Sequence, residues 1–305
     1  MDQICTNIES PDKNNTENIE KKEPLKKPKV LKNMVLSGGS IKGIAHIGSF
    51  FGLKELNLLD GIDTFVGTSV GSLIMSLFVV GYNPAELYDF IKLFDFAKLK
   101  NVSITNISQF GLDTGSHVEY VLQKLIEAKG LNPKITLGEL YQKKKKKLIF
   151  TTVCINIMEV CYLSYETDPD LCLYLAVRMS TSIPFMYTPV KYKDCLYIDG
   201  ACIDNFPMHL FKDCMDETIG ILLGDSKNKI DEIIDLETYI LRVLMCIMDG
   251  ISYSSIKGYE NNTVEINMES INIVNYEIDN NKKDELFLKG YAAVYQNIDK
   301  LKMFI

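Results

Sequence analysis

The 305-residue chain predicts a layered α/β domain. Two observations carry that expectation. Short apolar runs of strand length alternate with longer segments of helical periodicity. Two glycine-bracketed turns, 37–43 and 67–71, each stand between such a strand and such a helix, where open α/β sheets place their ligand sites.

Taken in order, residues 1–30 are polar, rich in lysine and without periodicity, and read as a disordered leader. Residues 31–305 read as one domain with no internal repeat. The first strand is 33–36. After the glycine turn, Ile44, Ile47, Phe51, Leu53 and Leu56 mark a helix running towards Asp60-Gly61. A second strand begins at Thr64, and the helix after Ser69 closes at Gly81. Pro84 opens a helix over 85–96, since proline is tolerated in the first turn. Residues 97–115, punctuated by Ser, Asn and Gly, read as a mobile loop or lid.

Val118, Val121, Leu122 and Leu125 restore helical spacing, and Thr136-x-x-Glu139 forms a capping box for the next helix. Adjacent strands are expected at 148–156 and 160–165, a helix at 170–180, and short strands at 188–192 and 195–198. A buried strand at 218–223 precedes a long helix over 230–251. Strands at 264–267 and 271–274 and a helix over 282–302 complete the chain.

Composition narrows the chemistry. A net charge of −7 argues against nucleic acid as a general partner. No apolar run approaches the roughly 20 residues needed to span a bilayer. Eight cysteines lie mostly in apolar stretches, with no C-x-x-C pair and no zinc-ligand spacing, so no metal site is expected. Free thiols and the lack of a signal-peptide pattern point to the reducing cytoplasm. The lysine run 143–147 reads as a solvated turn, with contact to an anionic membrane as the alternative.

Gly67-Thr68-Ser69-Val70-Gly71 has the strand–turn–helix setting in which G-x-S-x-G carries a nucleophile. The glycines keep Cβ atoms out of a sharp turn, leaving the Ser69 hydroxyl at the strand tip; a plain tight turn is the bland reading. The earlier turn, Ser37-Gly38-Gly39-Ser40-Ile41-Lys42-Gly43, matches neither a dinucleotide fingerprint nor a P-loop. It offers consecutive backbone N–H groups at a helix N-terminus, which suits an oxyanion. Of the three histidines, His46 reads as packed on its helix and His117 as a surface residue. His209 alone is placed like a late triad member, and it has no companion motif. Asp199, which ends a strand and precedes Gly200, is the better-placed base, because it can project into the crevice above the sheet.

These residues resemble the patatin-like phospholipases, lipid acyl hydrolases with a Ser-Asp dyad, over about residues 33–207. Four blocks carry the resemblance. They are the turn Ser37–Gly43 with His46; Gly67–Gly71; Ala176 to Pro184 with Pro189-Val190; and Asp199-Gly200-Ala201 with Asn205 and Pro207. The resemblance implies a three-layer α/β/α fold with a central, mostly parallel sheet. It implies Ser69 as nucleophile, Asp199 as base, and Gly38, Gly39 and Ser40 as oxyanion donors. Lys42, Gly43, Gly67, Gly71 and Gly200 support the motifs, and neither metal nor cofactor is required. Two positions depart from the family pattern. Ser40 stands where a third glycine is usual, which restricts φ, and Asp-Gly-Ala replaces the commoner Asp-Gly-Gly. Lys42 fills the family's basic position, where it either attracts a lipid phosphate or fixes the loop.

The expected activity is therefore hydrolysis of acyl lipids at a membrane surface by a cytoplasmic or peripheral enzyme; a protein activator has no support in the sequence. A catalytically silent lipid-binding protein and a hydrolase of soluble esters or thioesters are the alternatives.

Overall fold

The computed structural model describes residues 29–224, 232–268 and 278–305. Its main sheet is assembled from β1 (Asn33–Leu36), β2 (Thr64–Thr68), β4 (Lys147–Cys154), β5 (Glu159–Leu163), β7 (Val190–Tyr192), β8 (Cys195–Asp199), β9 (Thr218–Leu223) and β10 (Thr263–Ile266). Strand order is β10-β9-β1-β2-β4-β8-β7, with β5 also on β4. From β10 to β4 every pairing is parallel, and β5, β8 and β7 are antiparallel. A two-stranded parallel pair, β3 (Gly111–Asp113) with β6 (Phe185–Tyr187), lies apart.

Side-chain alternation separates the two faces of the sheet. Met34, Leu36, Phe65, Phe150, Ile219 and Ile221 point into the larger core. That core also takes residues of α1 (Ile44–Glu55), α2 (Val70–Val80), α3 (Pro84–Leu93), α4 (Ser116–Ala128), α5 (Leu137–Lys144), α6 (Leu173–Ser180) and, late in the chain, α8 (Asn280–Gln296) and α9 (Ile298–Leu301). Val35, Val66 and Leu222 point the other way. There they meet Phe206, Met208 and Phe211, with Ile256 and Tyr259 following α7 (Leu236–Ser255). Helices thus cover both faces, as the predicted α/β class requires.

The pairing on β4 positions the site. On one edge of β4, β2 occupies residues 147–151, ending with Thr68 opposite Thr151. The opposite edge is taken by β5 over 150–154. β8 therefore continues along the edge that β2 leaves, running antiparallel, with Asp199 opposite Thr152. The C-terminal ends of β2 and β8 meet head to head.

Several boundaries differ from the periodicity. α1 stops at Glu55 because Asn57 adopts φ 57° and the Leu58 N–H turns back to the Leu53 carbonyl. α3 ends at Leu93, and α6 starts at Leu173 instead of 170. Residues 97–115, expected as a loop or lid, contain 3₁₀ turns and β3; the partner of β3, β6, went unpredicted. α7 begins at Leu236, where the Asp235 side chain caps the Thr238 N–H, and runs on to Ser255. The last helix is interrupted at Asn297. The Thr136–Glu139 capping box forms as predicted. The strand expected at 271–274 and the leader up to residue 28 lie outside the described residues. In the lysine run, Lys145 bonds Gln142, Lys146 pairs with Asp63, and Lys147 pairs with Glu166, so local partners take up much of it.

Candidate active site

Ser69 sits between β2 and α2 with φ 51° and ψ −123°, a strained conformation for a residue with a Cβ. Close approach explains both flanking glycines. A Cβ on Gly67 would lie 2.5 Å from the Ser72 nitrogen, and one on Gly71 would lie 2.5 Å from the Leu36 carbonyl oxygen. The elbow is pinned beneath by Ser180, whose hydroxyl accepts the Ser69 N–H at 3.0 Å and donates to the Thr151 carbonyl at 2.8 Å.

Asp199 arrives from the facing strand end. Gly200 follows because a Cβ there would fall 2.4 Å from the Thr151 carbonyl oxygen. The Asp199 carboxyl is fully buried. Its Oδ1 accepts the Ala201 N–H at 2.9 Å, and Oδ2 has no aligned donor among the described residues. Burial raises its pKa from 3.8 to about 6, and the nearby Ser69 hydroxyl and the Ala201 N–H partly offset this by favouring the charged form.

The glycine turn packs against the same point. A Cβ on Gly38 would lie 2.5 Å from Asn205 Oδ1 and 3.0 Å from Ser69 Cβ, and one on Gly39 would lie 2.7 Å from Leu223 Cδ1. Asn205 Oδ1 accepts the Gly38 N–H at 2.9 Å, and its Nδ2 donates to Ser252 of α7 at 2.7 Å. Ser40 has φ 51°, the left-handed region in which glycine is the easy choice. Gly43 gives way to Val70, whose Cγ2 would lie 2.1 Å from an added Cβ. Lys42 is buried with Nζ 3.4 Å from the Gly224 carbonyl, so its ammonium fastens the turn to the end of β9.

None of the histidines stands at Asp199's position. His46 is buried, and its Nε2–H donates to the Ser37 carbonyl at 2.9 Å; burial lowers its pKa to about 4, so it braces the turn as a neutral ring. His117 is exposed and bonds the Lys98 carbonyl. His209 lies against Tyr162 and Asp204.

Ser69 and Ser40 line two cavities of about 120 Å³ each. One runs beneath α7, past Lys42, Arg242, Asp249, Met245 and Met248. The other is walled by Val70, Leu73, Phe96, Val177 and Tyr187. Buried Arg178 also lines it, donating to the Ser182 hydroxyl at 2.5 Å, the Thr114 carbonyl at 2.9 Å and the Thr188 carbonyl at 3.0 Å. The sequence singled out no role for Ser180, Asn205, Arg178 or the inner face of α7. A lone hydroxyl, amide or guanidinium carries no periodic signal, and the α7 stripe is indistinguishable from ordinary core spacing.

A family model described as "Patatin-like phospholipase" matches residues 34–212. The chain belongs to the patatin-like phospholipase family. Related to this family member is the "Probable lipid hydrolase 463L" of Invertebrate iridescent virus 6, 32% identical over 190 residues, covering 60% of this chain and 64% of the relative. The "Uncharacterized protein R571" of Acanthamoeba polyphaga mimivirus is 31% identical over 288 residues, covering 89% and 95%. Among solved structures, VipD from Legionella pneumophila superposes with a TM-score of 0.63 at 17% identity, over 89% of this chain and 67% of VipD, a likeness of fold. The patatin-like assignment makes lipid hydrolysis the family's chemistry, and no described helix is long and apolar enough to cross a membrane.

Proposed function

We propose that the protein cleaves carboxylic esters of phospholipids or related lipids, a phospholipase A-type reaction, through a Ser69–Asp199 dyad. The observation that carries the reading is the head-to-head meeting of β2 and β8 on one edge of β4, which brings a strained serine and a buried carboxylate together. Ser69 Oγ attacks the ester carbonyl while Asp199 accepts its proton. The tetrahedral intermediate collapses by breaking the bond to the alcohol oxygen, which takes that proton from Asp199 as it leaves. Water, deprotonated by Asp199, then attacks the acyl-serine; the free acid departs and the proton returns to Ser69.

The negative oxygen falls to the N–H groups of Gly39 and Ser40. The Gly38 N–H would join them by giving up its bond to Asn205. No step in this scheme calls on a metal or a cofactor. Docking at a membrane surface belongs to the same proposal. Ile104, Ile107, Phe110 and Phe185 are exposed, and the β3–β6 pairing sets Gly111, which follows Phe110, opposite Phe185, next in the chain to Met186 and Tyr187 of the cavity walls. A cytoplasmic or peripheral location accords with the free cysteines among the described residues.

A fluorophosphonate probe tests the reading. It should label Ser69, and phospholipid hydrolysis should persist in EDTA and vanish in Ser69→Ala and Asp199→Asn. Liposome binding without labelling would establish a silent binding protein instead. Activity kept in Asp199→Asn and lost in His209→Ala would replace the dyad with a histidine mechanism. Rates on soluble esters that bilayers leave unchanged would remove the membrane from the scheme.

A further inference from the structure

Two cavities diverge from Ser69, and their linings differ in chemistry. The one beneath α7 carries Lys42, Thr238, Arg242, Asp249 and Ser252 among its apolar neighbours. The other is bounded mainly by apolar side chains, and it does not end at its own wall. A third cavity of about 80 Å³ shares Ser40, Ile41, Val70, Leu73 and Phe96 with it. This third space continues between α1, α2 and α3 to Ile47, Leu77, Leu87 and Ile91, all buried. Val70, Leu73, Ile74 and Leu77 fall at the spacing of one helical face, so a single stripe of α2 floors the passage from the nucleophile inward.

We infer that this apolar passage along α2 holds the acyl chain of the substrate, that the cavity beneath α7 holds the alcohol half, and that the passage measures chain length. The inference rests on the reading of Ser69 as the acylated residue. The partition follows from desolvation, because a hydrocarbon chain gains by leaving water for an apolar slot, whereas a polar or charged head group there would lose its hydrogen bonds. The cavity beneath α7 has ionic and hydroxyl side chains in its lining, an environment in which such a head group loses less. The seven steps from Val70 to Leu77, at about 1.5 Å each, make a passage about 10 Å deep. An extended chain advances about 1.2 Å per bond, so about eight carbons fill it. Specificity should rise steeply with chain length up to about that point, by as much as about fourfold per methylene, and flatten beyond it.

Leu73 lines both parts of the passage and is only half-buried, which makes it the position to obstruct. The experiment measures kcat/KM for p-nitrophenyl esters from acetate to hexadecanoate on the full chain, as wild type, Leu73→Trp, Leu73→Ala and Met245→Trp. Active enzyme is counted by titration with a short-alkyl fluorophosphonate, so misfolded material drops out of the comparison. The octanoate-to-acetate ratio should fall at least about 30-fold in Leu73→Trp, as the gain of several methylenes is lost. It should hold in Met245→Trp, which narrows the other cavity. Displacement of a fluorescent fatty acid by decanoate supplies a readout independent of turnover, and Leu73→Trp should weaken it at least tenfold.

An unchanged ratio and unchanged decanoate binding in Leu73→Trp would overturn the inference, as would a shift of either by Met245→Trp alone. A wild type that binds decanoate in this Leu73-dependent way without hydrolysing or labelling would sink the catalytic reading while leaving the passage assigned to acyl chains.

Discussion

Replacing Asp199 with asparagine should make the protein more stable and nearly inactive, and the stability gain should depend on pH. The carboxyl is buried, and its pKa stands at about 6 against an ordinary 3.8. At about 1.36 kcal/mol per unit, keeping it ionised in the folded state costs about 3 kcal/mol at pH 8. The sign follows from the raised value. Below pH 3.8 the group is protonated both folded and unfolded, so nothing is lost. Between 3.8 and about 6 the unfolded chain releases the proton first, and wild-type stability falls. Above about 6 the loss is complete.

Asparagine keeps the shape and can still accept the Ala201 N–H, but it carries no charge to desolvate. Urea unfolding at pH 4, 6 and 8 should show the variant matching wild type at pH 4 and exceeding it by about 2–3 kcal/mol at pH 8. Hydrolysis should fall by about 10²–10⁴-fold, the usual span for a lost general base. In wild type, kcat/KM should rise with pH through an apparent pKa near 6. A gain of equal size at every pH, or a variant weaker than wild type at pH 8, would show that the carboxyl is not held against its own ionisation. The account of it as a poised base would then fail.

Two further substitutions probe the scaffold. Ser40→Gly relieves a left-handed residue and keeps the N–H, so thermal unfolding should show a gain of about 1 kcal/mol or less, with kcat within a few-fold of wild type. Arg178→Met leaves the Thr114 and Thr188 carbonyls and the Ser182 hydroxyl without their donor; it should cost about 3–5 kcal/mol in denaturant titrations, and Arg178→Lys should restore only part, because an ammonium cannot reproduce the guanidinium fork.

The parallel core of the sheet was legible because its strands are continuous apolar runs: β1 and β9 fall where the periodicity places them. The glycine turns were legible too, since close backbone approach admits few other residues. What the sequence left obscure depends on contacts between distant segments. β6 is three residues long and exists through its pairing with β3. The bond between Asn205 and Gly38 joins positions 167 residues apart. Proximity of Ser69 to Asp199 could be expected from their motifs, but its cause, two strands sharing one edge of β4, is a matter of register that no local pattern encodes.

That shared edge also bears on which fluctuations would silence the proposed dyad. β8 meets β4 through only three residue pairs, and beyond it lies β7, the last strand of the sheet. Peripheral pairings of this kind open far more often than a sheet's centre. If Asp199 is the base proposed above, fraying of the β7–β8 hairpin would withdraw it while Ser69 stays locked between β2 and α2, so chemistry would be lost without loss of the fold. On that proposal, the share of time the base is in place would depend on the six paired residues of the hairpin and on bonds such as that from the Asp199 N–H to the Ser182 carbonyl.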